Sequence, residues 1–128
     1  MQLEPVDTYC SSFNKSYSRK HRSFPKDYQA ATKLLVRHLC GTHPEQPLSE
    51  KKLKRIHVAN EFEVWKFNVM TQGLRPSQWP RMWLGVAPML DLIVPLVIDS
   101  HTNNYSDNTH EATAISLMQS FCAENLAN

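Results

Sequence analysis

Glycine is scarce in this chain: three residues among 128, at positions 41, 73 and 85, so there is no glycine-rich loop to cradle a phosphate with backbone amides. Cysteine is equally scarce. Cys10, Cys40 and Cys122 lie far apart, without a CxxC pair or the Cys/His spacing of a zinc site. They read as small thiols of a reducing compartment. No apolar run approaches the roughly 20 residues that span a bilayer, and the opening MQLEPVDTYC lacks the basic start and apolar block of a signal peptide. The expectations are a cytoplasmic protein with no metal, no cofactor and no membrane contact.

What is present points to one folded domain over residues 1–128. Charge is distributed unevenly. Residues 1–57 hold eleven of the fourteen Lys and Arg against five acids, and residues 58–128 hold three against seven. A basic half of this kind suits a polyanion, and it equally suits a solvated helix surface.

Thr8–Phe13 (TYCSSF) alternates loosely and is read as a weak first strand. The basic NKSYSRKHRSF follows. Ser23-Phe24-Pro25 then supplies a cap and first-turn proline, and Tyr28, Ala31, Leu35 and Leu39 recur at helical spacing up to Gly41. The connector THPEQPLSE leads to KKLKRIHVAN, which fits either a turn of helix or an extended lead-in.

From Phe62 the period becomes two. Glu63, Trp65, Phe67 and Val69 share the face expected to meet the core, while Lys66 and Asn68 project together from the other. RMWLGVAPM and LIVPLVI read as two further strands, the second apolar on both faces, with a bulge expected at Pro95. Asn108 and Glu111 have capping-box spacing ahead of a terminal helix with the stripe Ala112, Ile115, Met118 and Cys122. The fold class is α+β: a small, mainly antiparallel sheet with N-terminal helices packed on it and a C-terminal helix.

This order, with the basic helical region before Gly41, the strand EVWKFNV, the arginine opening RMWLGV and the strand LIVPLVI running into a His/Tyr segment, resembles the RelE/ParE superfamily of bacterial toxins over about residues 8–121. The resemblance implies a RelE-like domain that cuts messenger RNA on the ribosome without a metal, held inactive by a cognate antitoxin. In that chemistry a ribose 2′-hydroxyl attacks the adjacent phosphate. One group takes the 2′ proton, another protonates the leaving 5′-oxygen, and cations stabilise the phosphorane.

By resemblance, His101 is the acid/base candidate, Lys66 and Arg81 are phosphate-stabilising groups, and Tyr105 stacks on a base or assists proton transfer. Arg75 is a substrate-binding candidate, and Glu63 or Asp99 could orient or share the proton work. Taken one at a time, each has an ordinary role. A histidine can close a strand end, an aspartate can bond its own turn, and exposed cations can simply be solvated. Two alternatives stay open: a gyrase-poisoning binding toxin of the ParE type on the same fold, and a nucleic-acid-binding relative that does not cut.

Overall fold

A computed structural model describes residues 2–3, 9–39, 52–100 and 106–126. Among them the order is β1 (Gln2–Leu3), α1 (Ser11–Lys20), α2 (Phe24–Leu39), β2 (Leu53–Val58), β3 (Glu63–Asn68), β4 (Arg81–Ala87), β5 (Leu92–Asp99) and α3 (Asp107–Leu126). The strands form one sheet in the order β1-β5-β4-β3-β2. Strands β2 to β5 are antiparallel, and the short β1 runs parallel to β5. This is the α+β architecture that the hydrophobic periods predict.

Both faces of the sheet are covered. On one side α1 and α2 bring Tyr17, Phe24, Ala31 and Leu35 against Phe67, Val69, Met82, Leu84, Ile93 and Ile98. On the other, α3 lays Ala114, Met118, Phe121 and Cys122 against Val64, Trp83, Ala87, Val94 and Leu96. The central strand β4 is therefore buried from Met82 to Ala87, its side chains alternating between the two cores.

Asp27 locks α2 to the loop that follows β3. It is only 8% exposed. Its Oδ2 accepts the Ser23 hydroxyl at 2.9 Å and the Gln72 backbone N–H at 3.0 Å, which compensates for the burial of a charge.

Three expectations need correction, and one open alternative is resolved as extended. The weak strand at Thr8–Phe13 is not one: Thr8 lies outside the described residues, and Ser11 to Phe13 open α1. Phe13 and Tyr17, four apart on that helix, stack at 5.0 Å, a helical pairing that outweighs the loose alternation. The ambiguous KKLKRIHVAN contains the edge strand β2, with Leu53 facing one core and Ile56 packed at the margin of the other. The face carrying Lys66 and Asn68 is not left open but lies under α3, whose Met118 packs against the same face at Val64.

Helix α3 begins at Asp107 rather than after an Asn108 cap. Ser106 precedes it, and its carbonyl accepts the His110 N–H at 3.1 Å. The buried stripe is Ala114, Met118, Phe121 and Cys122, and Ala112 is exposed.

The bulge at Pro95 is present. Leu84 pairs with Pro95 and Trp83 with Val97, leaving Leu96 as the extra residue. Among the described residues β1 pairs only with Leu92 and Ile93. Proline thus sits where its missing N–H interrupts no second ladder.

Candidate phosphate-binding site under the terminal helix

The pairing register decides which polar side chains meet. Asn68 faces Arg81 across β3 and β4, and Arg81 faces Asp99 across β4 and β5. Lys66 lies two residues before Asn68 and opposite Lys54 of β2. Directly paired residues share a sheet face, and residues two apart along a strand share it too. Lys54, Lys66, Asn68, Arg81 and Asp99 therefore all stand on the α3 side.

Helix α3 completes the cluster from above. Asp107 and His110 occupy its first turn, three apart, and Ala114 follows four later, so the polar pair continues the buried stripe toward the end of the sheet. Arg81 Nη1 donates to both carboxylate oxygens of Asp107, at 3.1 and 2.8 Å. Its Nε donates to Asn68 Oδ1 at 3.3 Å, which fixes the plane of the guanidinium. Lys66 Nζ lies 3.7 Å from the same Asp107 Oδ2. Two cations thus converge on one anionic oxygen.

A histidine–carboxylate pair adjoins them. His110 Nε2 is 2.8 Å from Asp99 Oδ2, while Asp99 Oδ1 accepts the Ser100 N–H at 2.8 Å. The His110 ring leans against Trp83 with centroids 5.2 Å apart. The Arg81, Lys66, His110 and Asp99 side chains are 17 to 30% exposed. Such groups are shielded enough to hold fixed geometry and open enough for a ligand to reach.

Lys54 and Lys66 put like charges directly opposite each other, an arrangement that opposes strand pairing. Arg81 Nη2 has no partner among the described residues, and neither does the exposed Lys54. The assembly offers a guanidinium and an ammonium around one oxyanion, with a positive helix N-terminus beside them. An anion with several oxygens fits that set. Among the described residues no three His, Cys, Asp or Glu side chains are grouped so as to hold a metal ion.

Of the residues predicted from sequence, Lys66 and Arg81 come together. Arg75 begins an exposed 3-10 turn in the loop before β4. Among the described residues no contact ties it to the cluster. Glu63 lies on the opposite sheet face, accepting from Trp65 Nε1 at 3.0 Å and from Arg55 at 3.3 Å, which is a structural role. His101 and Tyr105 lie outside the described residues.

Sequence reading missed Asp107, His110 and Lys54. The signal for the first two was present as a spacing, Asp107-His110-Ala114-Met118, but it needed the helix stripe to be phased one residue differently.

No helix among the described residues is long and apolar enough to cross a membrane. Comparison with protein-family models, with curated proteins and with solved structures found no match for this chain.

Proposed function

We propose that this protein is an endoribonuclease of the RelE type, a toxin that cuts messenger RNA on the ribosome and is neutralised by a cognate antitoxin. The observation that carries the reading is the convergence of Arg81 and Lys66 on a single oxygen, at 2.8 and 3.7 Å. A phosphodiester in place of the Asp107 carboxylate would meet the same donors. Arg81 and Lys66 would then stabilise the charge that grows as the 2′-oxygen attacks. Asn68 is a positioning residue for Arg81.

Proton transfer falls to imidazoles. His101 is the candidate from the family resemblance, and His110, steadied by Asp99, stands beside the two cations as a second. Tyr105 would hold a flanking base. Arg75 remains a contact for a more distant phosphate.

The second reading is a binding toxin that does not cut, and one observation favours it. The anion position is already filled by the chain's own Asp107, which a purely structural ion-pair network would also explain.

Inducing the wild-type chain, Arg81→Ala, Lys66→Ala and His101→Ala in a bacterial host, with growth followed and messenger-RNA ends mapped, separates the two. The enzyme reading expects arrest with new 5′ ends, and cleavage reduced about 100-fold or more in Arg81→Ala. Arrest with intact messages in every strain selects the binding toxin. Cleavage that persists unchanged in Arg81→Ala and Lys66→Ala removes this site from the chemistry.

A further inference from the structure

The helical hairpin on the far side of the sheet carries a second concentration of charge, and none of it belongs to the site described above. Residues 9–39 include seven Lys and Arg, all exposed, and one carboxylate. That carboxylate, Asp27, is buried and already bonded to Ser23 and Gln72. Among the described residues no acid pairs with Lys15, Arg19, Lys20, Arg22, Lys26 or Lys33.

The cations are also aligned. On α2, Lys26, Lys33 and Arg37 are spaced seven and four apart, on the stripe directly opposite the buried Ala31 and Leu35. On α1, Lys15 and Arg19 lie opposite the buried Tyr17 face. Lys15 with Arg19 on α1, and Lys33 with Arg37 on α2, are like-charge neighbours at a spacing of four. Within a helix such pairs oppose stability.

We infer that the outer face of the α1–α2 hairpin docks on the phosphate backbone of a folded, base-paired nucleic acid, taken as RNA on the nuclease reading above. The hairpin's aromatic rings are turned inward and spent on each other. Phe13 stacks on Tyr17 at 5.0 Å, Tyr17 on His21 at 4.4 Å, and Tyr17 meets Phe24 edge-on at 4.8 Å. The face offers no ring on which unpaired bases would stack, so it reads backbone charge rather than bases. A lipid surface does not fit either. Among the described residues the exposed large apolar side chains are Val58, Met70 and Met89, none on the hairpin, and an interfacial helix needs an apolar face to insert. Docking by this face leaves the Arg81 site, across the sheet, free to take a separate single strand.

The test compares the full-length chain with a variant carrying Lys15→Gln, Arg19→Gln, Lys26→Gln and Lys33→Gln. Fluorescence anisotropy measures binding to a base-paired RNA hairpin, a DNA hairpin of equal length and polyglutamate across a salt series. The expected result is a slope of log affinity against log salt about 3 to 4 units shallower in the variant. Its affinity at low salt should be weakened at least 100-fold, with a thermal melt no lower than that of the wild type. The RNA hairpin should outcompete polyglutamate, and cleavage of a short single-stranded oligonucleotide should be unchanged.

An unchanged slope overturns the inference. Equal binding to RNA and DNA overturns the choice of RNA, and tighter binding to polyglutamate assigns the face to an acidic protein. Arg81→Ala keeps the two readings apart, because it abolishes cleavage without altering the salt slope on the hairpin. If no chain cuts and the slope still falls in the variant, docking stands and the nuclease reading fails.

Discussion

A carboxylate that holds an arginine at 2.8 Å and a lysine at 3.7 Å competes with any phosphate that needs the same two groups. Asp107→Asn keeps an acceptor for Arg81 and removes the charge, so the site should bind sulfate or a ribodinucleotide about tenfold more tightly, measured by calorimetry. The pair is partly exposed, and its loss should shift stability by no more than about 1 kcal/mol. Tighter binding without faster cleavage would mean that the clamp limits access and not chemistry. At the same scale, burial and then the nearby Glu61 charge push the Cys122 thiol above its ordinary value of 9.0. A raised value means that the folded state keeps its proton longer than the unfolded one. The contribution to stability is therefore complete below pH 9.0 and is lost as pH rises above it, through the higher folded value. Cys122 should resist alkylation in the native protein at pH 8 and react on unfolding, read by mass spectrometry at that residue.

Secondary-structure elements that bury a regular stripe were legible from their spacing alone. Helix α2 announced itself through Tyr28, Ala31 and Leu35, and strands β3 to β5 through alternation and apolar runs. Elements that face solvent or carry function were not. Strand β2 is an edge strand, and lysines on an edge discourage pairing with another chain, so KKLKRIHV hides its period under charge. Helix α3 was recognised but phased on Ala112 and Ile115, because Asp107 and His110 look like ordinary first-turn residues and not like sheet contacts. What seats α3 is Gly85. A Cβ there would overlap Met118 Sδ and come within 2.8 Å of its Cε, so the Met118 side chain rides directly on the strand backbone. Gly85→Val should destabilise the fold by about 1–3 kcal/mol in urea melts. It should also lift the first turn of α3 enough to weaken the Asp107–Arg81 contact, seen as Arg81 side-chain exchange by NMR. A Met118→Ala partner substitution that restores the contact would locate the effect at this crossing.

Considered as a whole, the molecule is a sheet with two covered faces and a separate cluster of charge on either side, and each layer made a different part of it readable. The basic first half is visible in composition, yet only the fold separates its uses. Lys54 joins the Arg81 face, while Lys15, Arg19, Lys26 and Lys33 point away from the opposite core. The candidate site was half legible, since strand alternation set Lys66 beside Asn68 and the family resemblance pointed to Arg81. Its other half depends on β5, where Leu96 is one residue more than the ladder requires. Before that insertion Ile93 and Pro95 belong to the α1–α2 side, and uninterrupted alternation would send Val97 and Asp99 there as well. The extra residue reverses the phase. Val97 and Asp99 emerge opposite Trp83 and Arg81, on the α3 side, and Ile98 drops into the other core. Pairing Leu96 within the ladder instead of bulging it out would turn Asp99 away from His110 without changing a single residue. The cluster thus owes its existence to a count, one residue long, as much as to the side chains that compose it.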